Sequence, residues 1–250
     1  SGFLSTLTDE VGFYDFAGST LVHSVGGWGA LVIIYLLGAR KGKFDSFGKA
    51  VAIPGSNIPL SAAGVLILWL GWFGFNGGSV LSADPANTSL VLVTTCLAAA
   101  AGGLGAAFFS GVLYKNLDIT MFMNGVLGGL VGITAGADML TPIQAVIVGL
   151  VTGAVAVIAV IQIDKAKVDD PVGAITVHLV CGIIGTLAVA LNPDISFGVQ
   201  LLGVISYGLV SFVFALILFS IIKATMGLRV TEEEETAGLD ISEHGMESYS

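Results

Sequence analysis

Long apolar runs separated by short polar stretches dominate this chain. A helix that spans a membrane needs about 20 mostly apolar residues, and seven runs meet or approach that length. They lie at about 17–37, 59–80, 88–114, 119–136, 141–163, 172–191 and 197–226. Turn and helix-start signals such as Asp169-Asp170-Pro171 separate them. We therefore predict an all-α, polytopic transmembrane helical bundle of about seven helices, of which the fourth is short and rich in glycine.

The composition excludes most soluble functions. Of the 250 residues, 55% are hydrophobic and 11% are charged, and the mean hydropathy is +0.94. Because about a quarter of the residues of an average soluble protein are charged, this chain has too little polar surface to cover a particle in water. A net charge of −9 with only nine Lys and Arg also excludes a basic surface that follows a nucleic-acid backbone.

The basic residues indicate the orientation of the bundle, because Lys and Arg are retained on the cytoplasmic side during insertion. All nine follow, or lie at the end of, the first, third, fifth or seventh run: Arg40, Lys41, Lys43, Lys49, Lys115, Lys165, Lys167, Lys223 and Arg229. We expect an extracellular segment at 1–16, a transmembrane domain at 17–227 and a cytoplasmic acidic tail at 228–250. The protein would then be a multi-pass protein of the plasma membrane.

Two histidines lie inside apolar runs, and their surroundings resemble each other. The segment from Asp15 to Gly27 matches the segment from Asp170 to Gly182 without a gap at the Asp, Gly, Val, His, Val and Gly positions. The first and sixth runs cross the membrane in opposite directions, so this similarity predicts inverted-topology repeats. His23 and His178 occupy the same place in each repeat.

The spacing places both imidazoles deep in the bilayer. Eight residues of helix separate each Asp from its His and rise about 12 Å, against a hydrocarbon core of about 30 Å. Ionisable residues at that depth are costly and point to function. A neutral imidazole both donates and accepts hydrogen bonds, so a facing pair suits a small polar molecule or a proton relay. Two histidines are too few for a zinc site, and we predict no metal and no cofactor.

Asp15 and Asp170 each stand at the start of a helix. A carboxylate there accepts hydrogen bonds from the free N–H groups of the first turn and interacts favourably with the helix dipole. We expect this supporting role for both residues, with direct substrate contact as the alternative.

One face of the second run combines aromatic and polar side chains. Trp72, Phe75, Asn76 and Ser79 recur at spacings of three and four residues. Aromatic rings attract a cation to their faces, and the Ser79 hydroxyl can accept a hydrogen bond from it. The alternative is an interfacial aromatic belt, which explains the tryptophan but not the polar residues beside it.

Several motifs together resemble the ammonium transporter (Amt) family. They are Asp-Phe-Ala-Gly-Ser-Thr-Leu-Val-His from residue 15, Gly-Trp-Phe-Gly-Phe-Asn-Gly-Gly-Ser from residue 71, Asp-Asp-Pro with Val-His-Leu-Val-Cys-Gly from residue 169, and the tail from residue 227, which begins Gly-Leu-Arg-Val-Thr-Glu-Glu-Glu-Glu. The resemblance extends over essentially the whole chain. It implies a homotrimer of eleven-span subunits, each with its own hydrophobic pore.

The resemblance also implies roles for individual residues. His23 and His178 would be the twin histidines of the pore, Trp72 would line its wall and Phe75 would belong to a phenylalanine gate. Ser79 would belong to the outer ammonium site, which Asp15 would support structurally. Asn76 and Asp170 are expected to support the same architecture. The acidic tail would couple subunits and, in many members, contact a PII-type signalling protein.

This chain departs from the family pattern in length. Seven spans in place of eleven mean that the family's first four spans are missing, and with them a second gate phenylalanine and an outer-site tryptophan. Gly173 also stands where many members carry an acidic residue. We expect the chain to be part of a longer protein.

The function expected from the residues and the resemblance is ammonium transport, with methylammonium as an analogue. NH4+ would be recruited at the aromatic vestibule and NH3 conducted past the histidines, with or without a relayed proton. Two alternatives are a Rhesus-type gas channel and a membrane ammonium sensor that acts through a partner protein. An enzyme is not expected, because the sequence shows no nucleophile–base pair or metal-ligand set. The tail is either a solvated end or a contact for a basic loop of a neighbouring subunit.

Overall fold

A computed structural model describes residues 12–249, so most of the predicted extracellular segment, residues 1–11, lies outside the described part of the chain. Helices occupy all seven predicted places. Their bounds are Ser19–Leu37 (α1), Ile58–Gly78 (α2), Pro85–Tyr114 (α3), Ile119–Ile133 (α4), Pro142–Lys165 (α5), Ile175–Leu191 (α6) and Phe197–Thr225 (α7). Two short helices follow in the tail, Glu232–Ala237 (α8) and Leu239–His244 (α9). Within the described residues the only strand-like pairing is an isolated bridge between Phe44 and Ala50.

Five of the seven helices, α1, α2, α3, α5 and α7, are long and apolar enough to cross a membrane, while α4 and α6 are shorter. The predicted fourth run extends to residue 136, but α4 ends at Ile133. Turn hydrogen bonds replace the helix there: the N–H of Gly136 donates to the carbonyl of Ile133, and that of Met139 to the carbonyl of Gly136. The apolar character of the run therefore reflects burial as well as helix length.

Helices α3, α4 and α5 pack through glycines. A Cβ added at Gly153 of α5 would lie 2.0 Å from the carbonyl oxygen of Gly102 in α3, and one at Gly129 of α4 would lie 2.1 Å from that of Ala98. Small residues of this kind let membrane helices approach to backbone contact. By contrast, most large apolar side chains of α2 and α7 are exposed. The three glycine-packed helices thus form a tightly packed centre, and the site residues lie on the neighbouring helices α1, α2 and α6.

The helix ends follow the capping signals of the sequence. Asp84 begins α3 and Asp118 begins α4, each accepting backbone N–H groups of the first turn. Thr141 and Gln144 form a capping box at α5 with Pro142 in the first turn. These local signals place the loops within a few residues of the predicted boundaries.

Candidate functional site

The two predicted histidines meet at the centre of the site. The Nδ1 atom of His178 lies 3.2 Å from the Nδ1 atom of His23, and the ring centroids are 5.3 Å apart with an interplanar angle of 15°. The two residues come from α1 and α6, the two helices of the predicted inverted repeat. One imidazole donates to the other, so each ring keeps its Nε2 for another partner. The Nε2 atom of His23 is buried and makes no hydrogen bond within the described residues.

The two histidine helices begin in the same way. Gly18 and Gly173 adopt positive φ angles of 108° and 80°, and each precedes a six-residue π-helical turn that carries the histidine. Such backbone angles favour glycine because it has no Cβ. π-helical turns are rare and are frequent at functional sites. The repeat seen in the sequence is therefore also a repeat of local backbone structure.

The carboxylates of Asp15 and Asp170 hold these two helix starts. Asp15 accepts hydrogen bonds from the backbone N–H groups of Ser19, Thr20 and Leu21 at 2.7, 2.9 and 2.8 Å. Asp170 accepts equivalent bonds from Ala174 and Ile175 at 2.9 and 2.8 Å. Both side chains thus accept hydrogen bonds from backbone N–H groups at the start of their helices.

The aromatic face of α2 extends outward from the histidine pair. The ring of Trp72 stacks on His23 at a centroid distance of 4.9 Å, and the ring of Phe75 lies 5.6 Å from His23 and 5.8 Å from Trp72. Trp72 is buried, whereas Phe75 is 40% exposed. The structure therefore divides this face: Trp72 lies at the depth of the histidines, and Phe75 lies beside them at the exposed margin.

The two polar residues of the same helix face have different surroundings. Asn76 is fully buried and donates to the hydroxyl of Thr95 in α3 at 2.9 Å, so it joins two helices. Ser79 stands at the C-terminal end of α2, and its hydroxyl donates to the carbonyl of Phe75 at 2.9 Å. That bond uses the hydroxyl hydrogen and leaves the oxygen lone pairs to accept.

Sequence reasoning missed a set of buried polar residues that holds the site together. The indole N–H of Trp72 donates to the hydroxyl of Thr134 at 2.9 Å. The fully buried amide of Gln200 in α7 donates to the carbonyl of Tyr14 and accepts from its N–H, at 2.7 and 2.8 Å. The hydroxyls of Thr20 and Thr186 are 2.7 Å apart. A threonine or glutamine in an apolar run gives no motif, so only the general cost of burying polar groups could have marked them.

A tyrosine and an aspartate meet where the chain enters the first helix. The hydroxyl of Tyr14 donates to the carboxylate of Asp138. Burial raises the pKa of the Asp138 carboxyl, and burial together with the nearby carboxylate raises the pKa of the Tyr14 hydroxyl. This pair fastens the residue before Asp15 to the turn after α4.

Charged side chains join the loops at the opposite end of the bundle. Arg40 makes a two-pronged ion pair with Asp169, with both nitrogen–oxygen distances at 2.8 Å, and Lys43 pairs with Asp164 at 2.8 Å. The Arg40 guanidinium lowers the pKa of Asp169. These bonds bring the basic loop after α1 to the end of α5, as expected if both belong to one membrane face.

The acidic tail contacts the same loop within this chain. Glu235 pairs with Arg229 at 2.7 Å and accepts the backbone N–H of Lys41 at 2.8 Å. Thr231 and Glu234 form a capping box that begins α8. Hydrogen bonds to Lys41 and Arg229 lower the pKa of Glu235. The tail is thus folded against the basic loop of its own chain.

The described residues hold no group of three or more His, Cys, Asp or Glu side chains that could bind a metal ion. The arrangement that they do form is a pair of hydrogen-bonded imidazoles walled by two aromatic rings. It can exchange hydrogen bonds with a small polar molecule.

Comparison with known proteins identifies relatives over nearly the whole chain. The family model "Ammonium Transporter Family" matches residues 3–249. A putative ammonium transporter of Synechocystis sp. is 41% identical over 246 residues, which cover 95% of this chain and 55% of the relative. Ammonium transporter Amt2 of Archaeoglobus fulgidus is 39% identical over 270 residues, covering 100% and 58%. The chain therefore spans a little over half the length of these relatives, whose names are those of transporters and not of enzymes.

Solved structures share the fold. A structure titled "Sensor Amt Protein" has a TM-score of 0.89 and 41% sequence identity, and the match covers 94% of this chain and 62% of that chain. Mep2 of Saccharomyces cerevisiae has a TM-score of 0.77 and 27% identity, covering 88% and 54%. The all-α transmembrane fold predicted from the apolar runs is confirmed by these matches.

Proposed function

This chain belongs to the Ammonium Transporter Family, and from that premise we propose that it forms part of a protein that moves ammonium across a membrane, with the histidine pair in the conduit. The observation that carries the proposal is the 3.2 Å contact between the Nδ1 atoms of His23 and His178. It joins α1 and α6, the two helices of the inverted repeat, and transporters built from such repeats bind their substrates at the interface between the repeats.

The hydrogen bond between the imidazoles determines what the pair can offer. If both rings are neutral, the ring that donates through Nδ1 has an accepting Nε2, and the ring that accepts has a donating Nε2–H. The pair therefore presents one acceptor and one donor. Ammonia is itself both a donor and an acceptor, so it can replace part of its lost hydration there.

The charge of NH4+ makes its passage through an apolar conduit unfavourable. An uncompensated ion in an apolar interior costs at least several kcal/mol, so NH4+ has to release its proton or pass it on. Phe75 and Ser79 supply an aromatic face and hydroxyl lone pairs at the exposed margin of the site. We place cation recruitment there, because the aromatic face attracts a cation and the hydroxyl lone pairs accept a hydrogen bond, which NH4+ can donate and Na+ cannot.

Replacement of each histidine tests the proposal. Currents after ammonium jumps on a solid-supported membrane are measured for the full-length natural protein and for its His23→Ala and His178→Ala variants. We expect each variant to lose the current or to change the selectivity between ammonium and methylammonium, because one side of the hydrogen-bonded pair is gone. His244→Ala is the control, since His244 lies in the exposed tail. Unchanged current and selectivity in both pair variants would contradict the role of the histidines.

A sensor is the second candidate, favoured by the similarity to the structure titled "Sensor Amt Protein". A sensor would bind ammonium at the same aromatic face and signal through its tail. A gas channel of the Rhesus type is the third, and it would need no cation site. Ammonium binding without current supports the sensor, and uptake of neutral ammonia without charge movement supports the channel.

The assembly and orientation belong to the same proposal. We infer a homotrimer, as the resemblance to the family implies, in the plasma membrane. We place the acidic tail in the cytoplasm, because all nine basic residues either follow odd-numbered helices or lie in their last turn. The tail and the basic loop against which it folds would form the surface for a PII-type regulatory protein.

A further inference from the structure

We propose that Thr134 is a positioning residue that sets the stack of Trp72 on His23 and thereby the maximal rate of conduction. This inference rests on the proposed function, because it assigns the control of the same conduit. Thr134 directly follows α4 and is fully buried. Its side chain contacts Trp72, and its backbone contacts the segment that leads to His23.

The side chain of Thr134 fixes Trp72. The indole N–H donates to the threonine hydroxyl at 2.9 Å, and that hydroxyl donates in turn to the carbonyl of Leu130 at 2.7 Å. The second bond holds the hydroxyl hydrogen away from Trp72, so the oxygen lone pair faces the indole. Since Trp72 is buried and an indole has only one polar group, this bond decides how the ring is rotated.

The backbone of the same residue fixes the start of α1. The carbonyl of Thr134 accepts the N–H of Ala17 at 3.0 Å, and the carbonyl of Ala135 accepts the N–H of Phe16 at 2.9 Å. These bonds hold the chain directly after Asp15, whose carboxylate begins the turn that carries His23. Thr134 is therefore the common anchor of two rings that belong to different helices.

At this depth α1 and α2 meet through the rings of His23, Trp72 and Phe75. A centroid distance of 4.9 Å and an interplanar angle of 16° define the wall beside the Nε2 atom of His23. If the indole bond is lost, the ring leaves a buried N–H unsatisfied and rotates toward another acceptor. We expect this to change how fast ammonia passes the histidines, while recruitment near Ser79 is unaffected.

Thr134→Val tests the proposal, because valine has the same shape but accepts no hydrogen bond. The expected result is a fall in maximal ammonium current of about tenfold, the rate equivalent of one lost hydrogen bond to a buried donor, with little change in half-saturation. Thr134→Ser should restore the rate. Thr152→Val is the matched control: Thr152 is fully buried and donates to the carbonyl four residues back at 2.8 Å, as Thr134 does, but it does not contact Trp72.

A double-mutant cycle separates positioning from general structural support. Trp72→Phe keeps a ring but removes the N–H, so adding Thr134→Val to it should cost little more in rate. If Thr134 only stabilises the fold, the valine substitution lowers the rate equally in both backgrounds, and the proposal is wrong.

The indole N–H signal of Trp72 in nitrogen-15 NMR gives a measurement that does not depend on transport. We expect that signal, assigned through Trp72→Phe, to shift and exchange faster with solvent in Thr134→Val and to return in Thr134→Ser. A shifted signal in a protein that shows no current at all would contradict the proposed transport function and leave the positioning intact. An unshifted signal in a conducting protein overturns the positioning alone.

Discussion

The carboxylate of Asp15 shows how a single residue supports the site. It accepts three backbone N–H groups at the start of α1, and the residue is half-buried. Hydrogen bonds to a charged group are stronger than those between neutral groups. The residue therefore stabilises the π-helical turn that carries His23, and its chemistry is structural in this geometry.

We expect Asp15→Asn to lower the free energy of unfolding by about 1.5–3 kcal/mol, because an amide has one accepting oxygen and no charge. The measurement is thermal unfolding in detergent, together with ammonium current. Asp118→Asn is the control, since Asp118 caps α4 at the surface with bonds to Thr120 and Met121. If Asp15→Asn and Asp118→Asn lose the same stability, Asp15 contributes no more than an ordinary helix cap.

At the scale of helices, backbone contact between α3, α4 and α5 provides the rigid frame. The glycines of these helices lie where any Cβ would enter a neighbouring backbone. Packing at that distance leaves no room for adjustment, because protein interiors are close-packed and respond to even one added methyl group. The helices that hold the site residues therefore pack next to three helices whose spacing cannot easily change.

Gly153→Ala tests this frame. The added methyl group would lie 2.0 Å from the carbonyl oxygen of Gly102, so we expect a loss of stability of about 1–3 kcal/mol from overpacking. Thermal unfolding in detergent measures it.

Gly64→Ala in α2 is the control, because nothing lies within 4 Å of an added Cβ there. In that variant the higher helix propensity of alanine should leave stability equal or slightly increased. A stable Gly153→Ala protein would mean that α3 and α5 can separate without cost.

At the scale of the whole molecule, ion pairs connect one end of the bundle. Asp169 joins the loop after α1 to the segment that leads into α6, and its neighbour Asp170 begins the turn that carries His178. The tail adds Glu235 to the same group of loops. Charge at this end therefore connects the tail, the basic loop and one of the two histidine helices.

The Arg40–Asp169 pair makes stability depend on pH. Arg40 lowers the pKa of Asp169 below its ordinary value of 3.8, so the unfolded state binds a proton first as the pH falls. The contribution of the pair is therefore complete above about pH 4 and is lost as the pH falls through the lowered pKa. We expect Asp169→Asn to unfold at a lower temperature than the natural protein at pH 7, and the difference to shrink at pH 3.

Asp194→Asn is the control for that measurement, because Asp194 is exposed and forms no ion pair within residues 12–249. It should unfold like the natural protein at both pH values. A difference for Asp169→Asn that stays constant from pH 7 to pH 3 would mean that the ion pair is not its source.

Features that depend on neighbouring residues could be predicted from the sequence. The helix places follow from runs of apolar residues, the helix starts from capping residues, and the histidine pair from a repeat with the same spacing between Asp15 and His23 as between Asp170 and His178. The first two are local patterns, because hydropathy and capping act within one or two turns, and the histidine pair could be found because the same local spacing occurs twice in the chain. Membrane burial strengthens these patterns, since every backbone polar group has to be satisfied within a helix.

The tertiary structure decided which residues meet across the bundle. Trp72 and Thr134 are 62 positions apart, Arg40 and Asp169 are 129 apart, and Tyr14 and Gln200 are 186 apart. The sequence singles out Trp72 and Arg40, but it does not indicate the partner of any of these residues. Their pairing depends on how the packed helices are rotated and how deep each one lies. Those two quantities are fixed only when the helices pack together, as the glycine contacts between α3, α4 and α5 show.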